Sequence, residues 1–230
     1  MFKNPDIMSG LETEALFGEK VKVLNKKGIW TFCKLLTDNY IGWIKTKDLN
    51  KQIYTNHRVI SNRTFIYTKP EVKSMVINYL PMGSKINCEL FDEKWFKIFL
   101  HQPNSVGFIP AVDIVKKNYQ IKDWVSSIEK LKDTPYKWGG RDTLGIDCSS
   151  LIQLGLETKG IKFPRNSSDQ NKFCKKNIEL KNISRGDLVF WNGHVGTMVD
   201  RDNLLHANAY FMKVVIESLK DVINRIGVNK

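Results

Sequence analysis

The N-terminal half of the chain matches itself when the sequence is shifted by 65 residues, and the match needs no gap. The shared positions keep glycines, aromatic rings and acidic residues in one register, which unrelated segments would not do. The matching pairs are Gly18 with Gly83, Lys20 with Lys85, Val21 with Ile86, Trp30 with Trp95, Leu35 with Leu100, Gly42-Trp43-Ile44 with Gly107-Phe108-Ile109, and Asp48-Leu49 with Asp113-Ile114. The chain is therefore expected to contain two copies of one unit, at about residues 10–57 and 58–118.

Each copy has the pattern of three short β-strands. In the first copy, apolar residues alternate in KVKVLN (20–25), which predicts a half-buried strand, and two segments rich in aromatic and β-branched residues follow, GIWTFCKLL (28–36) and YIGWIKTKDL (40–49). The second copy has SKINCEL (84–90), KWFKIFL (94–100) and VGFIPAVDI (106–114), with turns at residues 91–93 and 102–104. Short strands at this spacing predict two small β-barrels, in domains of residues 1–57 and 58–118.

The composition changes near residue 119. Apolar residues recur at helical spacing within residues 121–134, which predicts an amphipathic helix there. Residues 119–230 have the length of one compact domain. Strand patterns before residue 119, and helical and strand patterns after it, agree with the predicted fold class, α+β.

The net charge of +12 favours anionic partners such as nucleic acid, acidic lipid or carboxylate-rich glycopeptide. The lysines are spread along the chain and form no basic stripe with interleaved aromatic residues, so nucleic-acid binding is not expected. No run approaches the ~20 apolar residues that span a bilayer, so membrane insertion is not expected.

The segment TPYKWGGRDTLGIDCSSLIQLGLETKG (134–160) has the strongest chemical signal. Its glycines predict an irregular loop, and the apolar residues after position 150 predict a helix. Asp147 stands where a helix N-cap would be, which places Cys148 on the first turn. The positive end of the helix dipole can lower the pKa of a thiol there, so a thiolate at neutral pH is expected.

The other cysteines, Cys33, Cys88 and Cys174, are expected to be structural, since none has such a neighbourhood. No pair has CxxC spacing, so neither a metal site nor a cofactor is predicted.

A nucleophilic cysteine needs a base, and four histidines are available. His57 and His101 lie in the strand-rich copies and are expected at the surface. His194 opens a predicted strand after an Asn-Gly turn, and His206 lies in the next predicted strand, so a hairpin would place these two rings side by side. A cysteine at a helix start followed by two such residues is the order found in papain-like cysteine peptidases.

Four motifs in this order resemble the NlpC/P60 family over residues 119–230. They are Tyr136-Lys137-Trp138-Gly139-Gly140, Asp147-Cys148-Ser149-Ser150-Leu151, Arg185-Gly186-Asp187-Leu188-Val189-Phe190 and Gly193-His194-Val195-Gly196. The G-x-K-V-x-V…W…GWI…L pattern of the first copy, repeated in the second, resembles bacterial SH3 domains. The resemblance implies a papain-like catalytic domain preceded by two small SH3-like barrels.

The resemblance assigns roles to four residues of the reaction centre. Cys148 matches the nucleophile, His194 the general base, and His206 the polar residue that orients the base. Tyr136 matches a tyrosine whose hydroxyl, with the Cys148 N–H, can hold the oxyanion.

Further positions match substrate contacts of the family: Asp147, Ser149 and Ser167. Asp147 can also serve as a helix cap, and Arg165 either pairs with a substrate carboxylate or, as we favour, braces its loop. In relatives with SH3 domains, the first barrel recognises the free amine of an N-terminal L-Ala. Glu19 and, less strongly, Tyr54 are candidates for that contact, with a solvated acid and a packing residue as the structural alternatives.

The implied activity is hydrolysis of the γ-D-glutamyl–diamino acid bond in peptidoglycan peptides, with meso-diaminopimelate or Lys in the diamino position. The alternatives are an amidase or acyltransferase on the same fold, and a non-catalytic cell-wall-binding protein. A monomer is expected. The start of the chain has no visible signal peptide, which favours a cytoplasmic location, with a periplasmic or secreted one as the alternative.

Overall fold

A computed structural model describes residues 1–100 and 105–227. The chain divides into two compact units, Met1–Tyr119 and Gln120–Lys230. The predicted turn at residues 102–104 and His101 lie outside the described residues. The division of the first unit into domains of residues 1–57 and 58–118 stays a prediction.

The described part of the first unit is built from antiparallel strands. They are β1 (Val21–Lys27), β2 (Trp30–Leu35), β3 (Ile41–Lys45), β4 (His57–Val59), β5 (Arg63–Tyr67), β6 (Val76–Pro81), β7 (Lys85–Ile86), β8 (Cys88–Leu90), β9 (Trp95–Phe99), β10 (Val106–Pro110) and β11 (Ile114–Lys116). Three sheets result, with strand orders β1-β2-β3, β6-β5-β10-β9-β8 and β11-β4-β7.

The internal repeat is visible in the strand register. Trp30 pairs with Lys45 and Cys33 with Gly42 in the first copy, and the positions 65 residues later, Trp95 with Pro110 and Ile98 with Gly107, pair in the same way. A 3-10 turn follows in both copies, at Thr46–Asp48 and Ala111–Asp113. The second copy differs because its sheets also include β4, β5 and β6. The two predicted barrels stay a prediction.

Strand β1 corrects one expectation. It forms as predicted, but it is exposed rather than half-buried, and Val23 is 50% exposed. A β-bulge between Val23 and Asn25 breaks the register with β2. Of the residues in this strand, Val21 packs on the core cluster of Met1, Cys33, Leu35 and Ile44.

The second unit combines short helices with one antiparallel sheet. The helices are α1 (Trp124–Glu129), α2 (Cys148–Thr158), α3 (Ser167–Phe173) and α4 (Leu219–Ile226), and the strands are β12 (Arg141–Asp142), β13 (Gly145–Ile146), β14 (Leu188–Trp191), β15 (His194–Met198), β16 (Asn203–Asn208) and β17 (Lys213–Ser218). The sheet order is β14-β15-β16-β17. In the described part of the chain, no helix has the length and apolar character needed to cross a membrane.

Helix α1 is shorter than the predicted 121–134 segment. Asp123 caps it by accepting a hydrogen bond from the Ser126 N–H, and the helix ends at Glu129. Asp133, at φ 66°, has left the helical conformation. Arg185 holds this helix to the sheet, since its guanidinium bonds Asp123, Glu129 and the Val199 carbonyl, which gives the Arg185-Gly186-Asp187 motif a structural role.

Helix α2 packs on α1 and on strands β15 and β16. Leu151, Ile152 and Leu154 are buried on it. Gly155 permits the close approach of α1, because a Cβ there would lie 2.5 Å from the Trp124 ring. The start of α2 is thereby fixed against the sheet.

Two glycines of the first unit have positive φ but differ in the space around them. A Cβ on Gly18 (φ +75°) would lie 1.8 Å from the Lys85 carbonyl oxygen, whereas a Cβ on Gly28 (φ +57°) meets nothing within 4 Å. Gly28→Ala should cost only the left-handed conformation, about 1–2 kcal/mol. Gly18→Ala should cost clearly more, because it also displaces backbone. Urea unfolding of the two full-length variants measures this, and equal losses would contradict the close approach.

Candidate active site

Helix α2 begins at the cysteine, as predicted. Asp147 is its N-cap, and its carboxylate accepts a hydrogen bond from the Ser150 N–H at 2.8 Å. Cys148 is the first helical residue and is 7% exposed. The backbone N–H groups of Val195 and Ser149 lie close enough to its sulfur to lower the pKa of the thiol. The thiol therefore lies close to the start of β15.

The two histidines lie side by side on neighbouring strands, which confirms the predicted hairpin. His194 opens β15, and His206 lies in the middle of β16. His194 Nε2 is 2.8 Å from His206 Nδ1, and the ring centroids are 5.0 Å apart. Since Nε2 of His194 is engaged with His206, Nδ1 is the ring nitrogen left for the thiol.

The acidity of Cys148 differs from the expectation. Burial, together with the neighbouring Asp147 carboxylate, raises its pKa to about 11. The N–H groups of Val195 and Ser149 and the Arg165 charge act in the opposite direction but are outweighed. The prediction of a thiolate at neutral pH was therefore wrong for the free chain: desolvation dominates over the helix dipole.

The histidines are neutral as well. Burial, then the neighbouring His206 and Arg225, lowers the pKa of His194 to about 4. Burial also lowers the pKa of His206, against the opposing effect of Glu217. At neutral pH the site thus holds a neutral thiol and two neutral imidazoles.

Tyr136 is close enough to Cys148 and Asp147 for their charges to act on its hydroxyl. Burial, then these two residues, raises its pKa to about 12, so the hydroxyl stays protonated and can donate a hydrogen bond. Its backbone N–H is held by the Met212 carbonyl at 2.8 Å.

The Asp147 carboxylate is saturated by internal donors. Arg165 donates from its two terminal nitrogens at 3.0 and 2.6 Å, the Gly139 N–H donates at 3.0 Å, and the Ser149 hydroxyl donates at 3.2 Å, in addition to Ser150. Arg165 also donates to the Ser149 hydroxyl at 2.9 Å. Arg165 therefore braces its loop, and Asp147 and Ser149 have structural partners; their substrate contacts stay predictions.

Ser167 is half-buried and opens α3. The same helix is tied to α2, because the buried Gln170 donates to the Ser149 and Pro164 carbonyls at 2.9 and 2.8 Å. This places Ser167 within one turn of a residue that contacts the nucleophile helix. Its proposed substrate contact stays a prediction.

The candidates in the first unit have different surroundings. The side chain of Glu19 is fully buried, and its carboxylate accepts hydrogen bonds from the Leu16 N–H and the Thr37 hydroxyl and lies 3.6 Å from the Lys85 ammonium. These are the contacts of a structural carboxylate, and they correct the alternative of a solvated loop acid. Tyr54 is 74% exposed, which corrects the alternative of a packing residue. The substrate contacts of both stay predictions.

The remaining histidine and cysteines are not part of this arrangement. His57 is half-buried against the Phe96 ring rather than at the surface. Cys33 and Cys88 are buried and Cys174 is half-buried, all as free thiols. Within the described residues, no group of three or more His, Cys, Asp or Glu side chains could hold a metal ion.

Three residues around His206 were not predicted from the sequence: Asn208 and Glu217, which contact its ring, and Arg225, which contacts Glu217. Its Nε2 is 2.7 Å from Glu217 Oε1 and 2.8 Å from Asn208 Nδ2, and Arg225 forms an ion pair with Glu217. Asn208 is two residues from His206 and therefore shares its face of β16. Glu217 and Arg225 could be found only from the register of β16 with β17 and from the docking of α4.

Two family models match the chain, one within each of its two units. Residues 133–225 match the NlpC/P60 family, and residues 1–49 match the bacterial dipeptidyl-peptidase SH3 domain. Among curated proteins, the chain is 27% identical to a γ-D-glutamyl-L-lysine dipeptidyl-peptidase of Bacillus subtilis strain 168, over 93% of this chain and 77% of the relative. It is 24% identical to a dipeptidyl-peptidase 6 of Lysinibacillus sphaericus, over 96% and 89%.

A solved structure supports the fold. An NlpC/P60 family protein from Bacillus cereus ATCC 10987 superimposes with a TM-score of 0.78 at 22% identity, covering 90% of this chain and 77% of that one. The predicted α+β, papain-like class is confirmed, while a second SH3 barrel stays a prediction. The chain contains an NlpC/P60 domain preceded by a bacterial SH3 domain.

Proposed function

We propose that this protein is a cysteine peptidase that hydrolyses peptidoglycan peptides at the bond between D-glutamate, linked through its γ-carboxyl, and a diamino acid. The observation that carries the proposal is the joint placement of Cys148 at the start of α2 and the bonded pair His194–His206 on β15 and β16. A nucleophile, a base and a residue that orients the base are the minimum set for covalent acyl transfer. The names of the similar curated proteins support the same reaction.

The neutral resting state determines how the first step proceeds. Cys148 Sγ attacks the scissile carbonyl carbon while His194 Nδ1 takes the thiol proton, so the imidazolium forms only as the C–S bond forms. The Tyr136 hydroxyl and the Cys148 N–H stabilise the resulting oxyanion; such donors each contribute ~3 kcal/mol to lowering a barrier.

The second half of the reaction returns the site to its starting state. The C–N bond breaks, His194 gives its proton to the leaving amine, and the γ-D-glutamyl group remains on Cys148 as a thioester. Water then attacks the thioester carbonyl, His194 takes a proton from that water, and the proton returns to the sulfur as the acid is released. His206 accepts a hydrogen bond from His194 throughout and so holds its ring in place.

The substrate class rests on charge and on the named relatives. The γ-D-glutamyl–diaminopimelate peptides are anionic, and a chain of net charge +12 attracts them. A dipeptidyl-peptidase releases an N-terminal dipeptide, so we propose peptides with a free L-Ala amine, with meso-diaminopimelate or Lys as the diamino acid.

The products test this reaction directly. L-Ala-γ-D-Glu-meso-diaminopimelate and its Lys analogue, each free or N-acetylated, are incubated with the protein and analysed by mass spectrometry. We expect L-Ala-D-Glu and the free diamino acid from the peptides with a free amine, and much slower cleavage after acetylation. Equal cleavage of both forms would instead favour intact wall as substrate, and product joined to an added amine would favour an acyltransferase.

Loss of the thiol should abolish turnover without loss of the fold. Cys148→Ala removes the nucleophile, and alanine is a good helix former, so hydrolysis should fall by at least 10³-fold while the circular dichroism spectrum is unchanged. Cys174→Ala is the matched control and should keep nearly full activity. A Cys148→Ala variant with a tenth of the normal rate would remove this residue from the nucleophile role.

The raised pKa of Cys148 predicts how its alkylation depends on pH. Thiolate is the reactive form, and with a pKa near 11 its fraction grows about tenfold per pH unit across the neutral range. Alkylation by iodoacetamide, followed at the Cys148 peptide by mass spectrometry, should therefore accelerate from pH 6 to pH 9 without a plateau. A plateau between pH 5 and pH 8 would mean that a thiolate–imidazolium pair exists in the free protein.

A further inference from the structure

The polar contacts beyond His206 form a connected chain of side chains inside the second unit. His206 is fully buried, Asn208 is buried, and the Glu217 side chain is 14% exposed. Glu217 lies on β17, the strand that pairs with β16. Bulk water therefore does not supply the hydrogen-bond partner of His206 Nε2, and that partner has to come from the protein.

We propose that Glu217, held by Arg225, is a positioning residue that sets the tautomers of both histidines and thereby leaves His194 Nδ1 free to act as the base. The proposal rests on the proposed thiol mechanism and extends it to residues that do not touch substrate. It follows from assigning donor and acceptor roles in turn, from Glu217 through His206 to His194.

The assignment starts at the Glu217 carboxylate. An ionised carboxylate can only accept hydrogen bonds, so the contact of 2.7 Å between Glu217 Oε1 and His206 Nε2 requires a proton on Nε2. Arg225 keeps Glu217 ionised: burial raises the pKa of Glu217, but its bonds to Arg225 and His206 outweigh this and lower it overall.

The proton positions on both histidine rings follow from the proton on His206 Nε2. With Nε2 protonated, neutral His206 has its lone pair on Nδ1, which must accept from His194 Nε2 at 2.8 Å. His194 then carries its proton on Nε2 and its lone pair on Nδ1. That lone pair is what the mechanism requires for taking the proton of Cys148.

Asn208 makes the tautomer of His206 depend on the Glu217 carboxylate, because its amide also lies next to His206 Nε2. Its Nδ2 is 2.8 Å from His206 Nε2 and 3.3 Å from Glu217 Oε1, while its Oδ1 accepts from the Phe211 N–H at 2.9 Å. With Glu217 present and Nε2 protonated, the contact between Asn208 Nδ2 and His206 Nε2 joins two donors and is not a hydrogen bond, and the amide of Asn208 donates to the carboxylate instead. Without it, Asn208 donates to His206 Nε2, the proton of His206 moves to Nδ1, and His194 is protonated at Nδ1, where it cannot act as a base.

Arg225 is itself held in place from a second side. Its guanidinium carbon lies 4.6 Å from the Tyr210 ring and 5.4 Å from the Phe211 ring. These rings belong to the turn between β16 and β17, and Arg225 belongs to the last turn of α4. Stacking on aromatic faces fixes the planar guanidinium that a carboxylate needs as its partner.

Histidine tautomers can be read directly by ¹⁵N NMR of the full chain, which does not depend on turnover. In the wild type, we expect both His194 and His206 to carry the proton on Nε2. A proton on Nδ1 of either ring would overturn the proposal, even if the peptides are cleaved. If no peptide is cleaved but the tautomers are as stated, the proposed function fails while the assignment of Glu217 stands.

The variants test the same point through activity. Glu217→Leu, which removes the acceptor of His206 Nε2, should lower kcat by about 10²-fold to 10⁴-fold with little change in KM, because a wrong tautomer removes the base and not the binding site. Its ¹⁵N spectrum should show Nδ1 protonation. The control Glu179→Leu, which removes an exposed carboxylate of the same unit, should leave both readouts unchanged.

A double variant separates the tautomer from a general loss of structure. Asn208→Asp in the Glu217→Leu background places a carboxylate back next to His206 Nε2 and keeps an oxygen for the Phe211 N–H. It should recover at least tenfold of the lost kcat and restore Nε2 protonation. A Glu217→Leu variant within twofold of wild-type kcat, or an inactive one with unchanged tautomers, would show that Glu217 does not act in this way.

Discussion

The packing of helix α2 against strand β15 is the contact on which the second unit depends. Leu151 and Ile152 of α2 and Val195 of β15 are all fully buried, and the Val195 N–H lies close enough to the Cys148 sulfur to lower the pKa of the thiol. Within the sheet, Gly196 leaves room for the Leu204 side chain of β16, since a Cβ there would lie 2.8 Å from it. The nucleophile and the base come from segments more than forty residues apart in the sequence, so this apolar contact positions the chemistry although none of its residues takes part in it.

Burial of so many polar groups is tolerated because two arginine–carboxylate pairs lie on either side of the thiol and the histidines. Asp147 is neutralised by Arg165 on the helix side, and Glu217 by Arg225 on the sheet side. A buried carboxylate without such a partner would be strongly destabilising. Between the two pairs, desolvation keeps the Cys148 thiol and both imidazoles uncharged. The groups that react are thus neutral at rest, and charge develops only during the reaction.

In the first unit, the sequence repeat extends to the pairing of strands but not to the strands around them. The offset of 65 residues reproduces the pairing of three strands and the 3-10 turn that follows, because these features are local and depend on the alternation of side chains and on turn residues. It does not reproduce the surroundings: strands β4, β5 and β6 lie only in the second copy. The N-terminal residues Phe2 and Met1 pack on the first copy, where Phe2 bridges to Trp43.

The sequence by itself determined the features whose physical cause lies within a few residues. The Asp147 cap, the start of α2 at Cys148 and the hairpin that joins His194 to His206 all follow from local patterns. Tertiary structure decided the rest. The pKa of Cys148 depends on how deeply the sulfur is buried, the saturation of Asp147 depends on a loop arginine eighteen residues away, and the contacts of Glu217 depend on the register of β17 and the docking of α4. Desolvation and hydrogen-bond direction are properties of the packed interior, and no local pattern of residues contains them.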